Sequence, residues 1–492
     1  MSPQKRFAMN AIRFSVGLSA LWLFADLTYA AEAPLADAAE SKNSATIRTL
    51  LKQHAKVNAP QPDGMTALHW AAYHDDLDTV KLLLAAGADA KAANRYGVTP
   101  LSLACTNGNA AIVELLLNSG ADANTTLPGG ETVLMIASRT GRLGAVKALL
   151  AHGAGVDARE HKGQTALMWG AAEGHVDVAD ALLKAGADFR TPLSSGFTPL
   201  FFAVREGRSK VVFRLLEAGA KVSDVMRPER SGKTTNLLIL AIENGHFELA
   251  ADLLKAGADP NDQPAGFAAL HAVTWVRKPI RGDGNPPPIG SGNFSSLEVV
   301  RQLVKHGADV NVRLKKGESG RGRFTTTGST PFLLASRTAD IPLMQLLLEL
   351  KADAGLPNAD NGTPLLAAAG VGALDDGDEA AATEDEAIEA VKLLLDLGAD
   401  INAVDNNSET ALHGAAYQSL PKLVQLLADR HADIKVWNRT NKCDWTPLMI
   451  AQGHRPGNFR PSPETIAVLE KVMLAAGLAL PPKAKVDNRQ DY

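Results

Sequence analysis

The residues able to do chemistry are scattered along the chain rather than gathered into a constellation. There are twelve histidines and two cysteines, Cys105 and Cys443. A zinc or similar centre needs His and Cys at ligand spacing, and no such pairing occurs. Neither Gly-x-Ser-x-Gly nor His-Glu-x-x-His is present, so the common signatures of a nucleophile elbow and a zinc protease are missing. Ser231-Gly232-Lys233-Thr234-Thr235 ends like a phosphate-binding loop. Arg227 stands where that loop needs its first Gly, and no buried strand precedes it. Asp375-Asp376-Gly377-Asp378-Glu379 has the charge to attract calcium, but lacks the alternating ligands and closing Glu of a dedicated loop; a solvated acidic loop is expected. Arg281-Gly282-Asp283 matches an adhesion tripeptide that three common residues produce by chance. No catalytic, cofactor-binding or metal-ligating set is therefore assigned, and a hydrolase with a convergent site stands only as an alternative.

The elements that carry these residues repeat. A Gly-Ala pair recurs at Gly87, Gly120, Gly153, Gly186 and Gly219, each 33 residues after the last, and returns at Gly257, Gly307 and Gly398 after longer steps. Lys351-Ala352-Asp353 and His431-Ala432-Asp433 keep the pattern without its Gly. Each pair follows an apolar stripe such as Val80-Lys81-Leu82-Leu83-Leu84, which predicts a helix. About ten residues later comes a second signature: Gly64-Met65-Thr66-Ala67-Leu68-His69, Gly97-Val98-Thr99-Pro100-Leu101, Gly196-Phe197-Thr198-Pro199-Leu200, Thr410-Ala411-Leu412-His413. Thr caps orphaned backbone N–H groups and Pro suits a first helical turn, so another helix is expected there. Gly108, Gly141, Gly174 and Gly207 end that helix.

This recurring T-P-L-H-x-A motif resembles the ankyrin-repeat family, from about residue 40 to 477. The resemblance implies an all-α solenoid of stacked helix-turn-helix units joined by β-hairpin fingers. Units start at Gly64, Gly97, Gly130, Gly163, Gly196, Asn236, Gly266, Gly328, Gly362, Ser408 and Asp444, eleven in all. Residues 31–63 read as an N-terminal capping half-repeat, 64–477 as the solenoid and 478–492 as a disordered tail. Asn236-Leu237 replaces Thr-Pro and predicts a distorted hairpin. Insertions fall near 278–295, 313–327, 375–386 and 455–463; the second is basic and the third acidic. His69, His271 and His413 take the motif's own His position, which the family uses to bond between repeats.

The resemblance also implies where a partner binds: on fingertips and on the last residues of each first helix, along a concave face. The aromatic and Arg residues there, the usual anchors of interfaces, are Tyr73, Tyr96, Arg139, Phe197, Arg205, Phe267, Trp275, Arg337, Tyr417 and Trp445. Trp70 and Trp169 replace an inward Leu and are assigned to the core, as is Cys105. Cys443 is placed on an exposed fingertip. The expected partner is a protein or peptide, with no cofactor, and the chain is expected to be monomeric.

Composition agrees with a stacked scaffold. Of 492 residues, 46% are hydrophobic but only 5% aromatic, which suits many small helix contacts rather than one aromatic core. The net charge of −4 gives no global field to attract nucleic acid or anionic lipid. Lys5, Arg6 and Arg13, the apolar run from Phe14 to Ala25, and Thr28-Tyr29-Ala30 have the layout of a secretory signal peptide over residues 1–30. Export is therefore expected, to the periplasm of a two-membrane bacterium first and the cell exterior second, with no stable membrane insertion after cleavage. Such a mature chain would carry a net charge near −6.

Overall fold

The computed structural model describes residues 33–229, 233–278, 288–317, 324–372, 382–454 and 460–480. The signal-like segment 1–30, Arg281-Gly282-Asp283, the acidic run at 375–379, Arg321, Arg323 and the end of the tail lie outside these residues. So do Arg230, Ser231 and Gly232, while Lys233, Thr234 and Thr235 are described.

Helices come in pairs. They are α1 and α2 (Pro34–Glu40, Ser44–Lys52), α3 and α4 (Ala67–Tyr73, Leu77–Ala85), and α5 and α6 (Pro100–Asn107, Ala110–Asn118). Next come α7 and α8 (Val133–Thr140, Leu143–Ala151), α9 and α10 (Ala166–Glu173, Val176–Lys184), and α11 and α12 (Pro199–Arg205, Ser209–Glu217). The strands β1 (Val225–Met226) and β2 (Thr235–Asn236) precede α13 and α14 (Leu237–Glu243, Phe247–Lys255). Then follow α15 and α16 (Ala269–Arg277, Ser296–Lys305), α17 and α18 (Pro331–Arg337, Ile341–Glu349), and α19 and α20 (Pro364–Ala368, Glu384–Asp396). The series closes with α21 and α22 (Ala411–Tyr417, Pro421–Asp429), the single turn α23 (Ile434–Trp437), and α24 and α25 (Pro447–Ala451, Pro463–Ala475).

First helices touch in unbroken order, α1 on α3 on α5 and so on through α19 on α21 on α24. Second helices form an outer row against them. Each unit contributes a few fully buried aliphatics, such as Val178 and Leu182, or Leu343 and Leu347, each worth roughly 1.5–3 kcal/mol of burial. No unit buries these alone, so stability comes from stacking.

The caps work as the motif demands. Thr99, Thr132, Thr165, Thr330, Thr363 and Thr446 accept the N–H three residues ahead. Asn236 does the same for Ile239 at 2.9 Å, so an Asn side chain caps this helix as Thr caps the others; the tip of the hairpin before it, where a distortion was expected, lies outside the described residues. The adjoining β1 and β2 pair antiparallel, Val225 with Asn236 and Met226 with Thr235.

Several expectations change. The N-terminal half-repeat is a complete helix pair, α1 and α2, with Leu35 and Ile47 buried. Among the described residues only the β1–β2 finger forms a two-residue ladder. One other finger has an isolated antiparallel bridge, Thr126 with Thr132, and five are tight turns. In these one side chain, Asn94, Glu160, Asn358, Asp405 or Asn441, accepts two backbone N–H groups of its own loop. Neighbouring fingers are tied by single backbone bonds such as Arg95 N–H to Asp63 O, 3.0 Å, and Lys442 N–H to Asn407 O, 3.0 Å. The acidic insertion ends earlier than expected, since Glu384 to Glu386 form the first turn of α20 behind the cap Thr383. The tail also starts later: Leu478 and Leu480 pack on the core.

The insertion ending at Thr327 returns across the inner face. Phe324, Thr325 and Thr326 are buried, Asn358 Nδ2 donates to Thr325 O at 2.7 Å, and a Cβ on Gly372 would lie 2.2 Å from the Phe324 nitrogen. Only a glycine at position 372 leaves room for that crossing.

Candidate protein-binding surface

The residue seven places after the cap lies at or near the end of each first helix. In α3 this is Tyr73, 54% exposed, its ring edge-on to Trp70 at 5.7 Å and beside His74 at 5.1 Å. Tyr96 sits on the following finger, 64% exposed, with its N–H held by Asn94 Oδ1 at 2.9 Å. Among the described residues these two are the exposed aromatic side chains.

Further along, cations lie over rings. Arg139 is exposed, with its guanidinium carbon 5.0 Å from the Trp169 centroid in the next unit. Arg205 stands 5.1 Å from both Phe197 and Phe202 and bonds Glu206 at 2.9 Å. Arg337 covers Phe324 at 5.4 Å. A guanidinium over an aromatic face is attracted by the ring quadrupole, which favours these Arg placements before any partner arrives. Phe197, Trp275 and Trp445 are half-buried, each resting on the core.

Two expected anchors are interior. Phe267 is buried under Trp275, centroids 4.9 Å apart and nearly perpendicular, with Lys233 Nζ 5.0 Å from the ring centroid. Two aromatic groups within reach bury each other before facing water. Tyr417 is 1% exposed. Its hydroxyl donates to Glu409 Oε1 at 2.8 Å and accepts from Asn441 Nδ2 at 2.9 Å. The same position that exposes Tyr73 thus buries Tyr417, because Glu409 on the preceding finger supplies an acceptor.

Three aromatic groups stand elsewhere than the sequence indicates, two of them at the surface and Phe324 buried. Trp70 and Trp169 are half-buried rather than core, with indole N–H groups tied to Gln61 Oε1 at 2.6 Å and Gln164 Oε1 at 3.0 Å. They share a row, four residues after the cap, in which Ile136, Phe202, Leu240, Leu334 and Ile450 are buried, so the repeat position gave no signal of their exposure. Phe324 lies in an insertion outside the period and had no signal. Cys443 is half-buried rather than exposed, and Cys105 is buried, where loss of solvent pushes its thiol up to about 12.

The motif histidines bond between units. His271 Nδ1 accepts Ala268 N–H at 3.1 Å and its Nε2 reaches Ser329 O in the next finger at 3.2 Å. His69 and His413 repeat this with Val98 O and Arg439 O. One nitrogen accepting and one donating describes a neutral ring. Burial holds His271 and His413 down to about 4, against the raising effect of those carbonyls, and lowers His69 too.

A family profile described as "Ankyrin repeats (3 copies)" matches residues 35–127, 119–192, 134–226, 186–264 and 379–458, together more than half of the chain. The chain belongs to the ankyrin-repeat family. Similar proteins include "Ankyrin repeat and SOCS box protein 6" of Homo sapiens, 31% identical over 179 residues, covering 36% of this chain and 34% of that one. "Inversin" of Mus musculus is 34% identical over 86 residues, 18% of this chain and 7% of that protein. This ankyrin chain thus spans about a third of the length of the first relative. Ankyrin stacks are protein-binding scaffolds, and among the described residues no helix is long and apolar enough to cross a membrane.

Proposed function

We propose that this ankyrin protein is a non-enzymatic scaffold which binds a protein or peptide on the face formed by its fingers and first-helix ends. The observation that carries this is the exposure of Tyr73 and Tyr96, at positions where the fold offers side chains to a partner. Exposing more than half of a Tyr ring costs a folded monomer burial energy that a partner would recover. The Arg139–Trp169 and Arg205–Phe197–Phe202 stacks extend the surface and favour its arrangement in advance, which lowers the entropy cost of binding. Phe324 fills the inner face at α17 and α19, so the open stretch runs from α3 to α15.

The basic-then-apolar start supports export, with the mature monomer acting in the periplasm or outside the cell; a secreted effector directed at host proteins would use the same surface. Affinity capture by the full chain, compared with Tyr73→Ala/Tyr96→Ala/Arg139→Ala, tests the surface. The triple variant should keep its fold and lose its partners; equal recovery by both would sink the proposal. N-terminal sequencing of the protein recovered from cells should find Ala31, and an intact Met1 would count against export.

A further inference from the structure

Tyr417, removed from the binding surface, belongs to a buried polar cluster that joins two units. Glu409, 3% exposed, sits at the base of one finger. Its Oε1 accepts from Tyr417 at 2.8 Å and from Asn441 Nδ2 in the next finger at 3.0 Å. Asn441 Oδ1 in turn accepts the N–H groups of Cys443 and Trp445, at 2.9 and 3.1 Å. A single carboxylate oxygen therefore organises the finger that carries Trp445.

No cation matches this carboxylate among the described residues. Asp405, also buried, lies on the same finger, with its Oδ1 accepting the Glu409 N–H at 2.8 Å. Asp360 faces Asp405 from the preceding finger. From α21 come neutral His413 and Tyr417; from the following finger come Arg439, Lys442, Cys443 and Asp444, none of which forms an ion pair with Glu409. Burial lifts Glu409 to about 7, Asp405 adding to the rise while Tyr417 and Asn441 oppose it. An unpaired charge in such a place is expensive, and neutralisation is the usual escape.

We propose that Glu409, Tyr417 and Asn441 form a protonation-dependent joint, latching the last finger when Glu409 carries its proton and loosening it on ionisation. The remaining ties of that finger, His413 Nε2 to Arg439 O and Lys442 N–H to Asn407 O, do not titrate in the same range, because His413 is held near 4. The joint stands whether or not the inner face binds a protein.

Hydrogen exchange by mass spectrometry on the full chain reads the joint directly. After correction for intrinsic rates, opening of residues 438–451 should increase about 30-fold between pH 5.5 and 8.5, as linkage requires for this carboxyl; the finger around Tyr96 should stay flat. Glu409→Gln should abolish the step. Tyr417→Phe, which removes a donor to the ionised form, should move the midpoint to higher pH and decides the matter if the Gln variant fails to fold. A flat wild-type profile, a step that survives in Glu409→Gln, or an unmoved midpoint in Tyr417→Phe overturns the proposal.

Discussion

Breaking the Arg277–Asp340 pair should be the costliest charge deletion on the described surface. The pair spans the insertion between α15 and α16 and ties the end of α15 to the start of α18. Arg277 Nε and one terminal nitrogen donate to both Asp340 oxygens at 2.7 and 2.8 Å, and the other nitrogen bonds Ser296 Oγ at 2.6 Å. The side chains are 17% and 6% exposed. Removing one partner of a buried pair leaves a desolvated charge and costs about 3–5 kcal/mol. Residual exposure of Arg277 places Asp340→Ala near the lower end. Asp340 also caps α18 through Leu343 N–H at 3.2 Å, which adds roughly 1 kcal/mol, for a total of about 4 kcal/mol. Asp340→Asn preserves the cap and should cost about 1 kcal/mol less. Arg301 and Glu349 form an equally well-aligned bidentate pair at 2.7 and 2.9 Å, but both are about half exposed, and Glu349→Ala should produce no resolvable loss. Because solenoid stability is local, the measurement is urea-dependent exchange at amides of α17 and α18 beside whole-chain circular dichroism. Equal losses for Asp340→Ala and Glu349→Ala would refute the reasoning, since the two pairs differ chiefly in burial.

Further outcomes follow from the same contacts. The buried histidines have folded-state values below 6.5, so their stabilisation is complete above that pH and is lost as pH falls toward 4; His271 and His413 should each contribute up to about 3 kcal/mol of acid destabilisation. An acid titration of His271→Gln should show a shallower loss than wild type. Gly372→Ala should expel the crossing segment at Phe324, seen as new exchange at Thr325 and Thr326, because the added carbon overlaps the backbone. Leu182→Ala, in a fully buried outer-helix position, should cost about 2–5 kcal/mol by leaving a cavity, read as loss of protection in α8, α10 and α12.

Much of this protein was legible in its sequence because the determinants are local. A Thr three residues before a backbone N–H is placed to cap it, as in six of these units, a Leu stripe at helical spacing makes an apolar face, and their 33-residue recurrence forces each face onto the next. Helix pairing, stacking order and the inter-unit role of His69, His271 and His413 follow from that. Even Asn236 obeys the rule in a different residue type. What the tertiary structure alone decided is which side chains of one repeat row face solvent. Tyr73 and Tyr417 hold the same place in their units, yet one is exposed and the other buried, because only the second has Glu409 and Asn441 within reach. Phe267 closed onto Trp275, and Phe324 crossed the inner face from an insertion with no period. Those outcomes depend on groups 8 to 24 residues away around Tyr417 and on a chain path that no repeat encodes. Periodicity names a position; its neighbours in space determine what that position does.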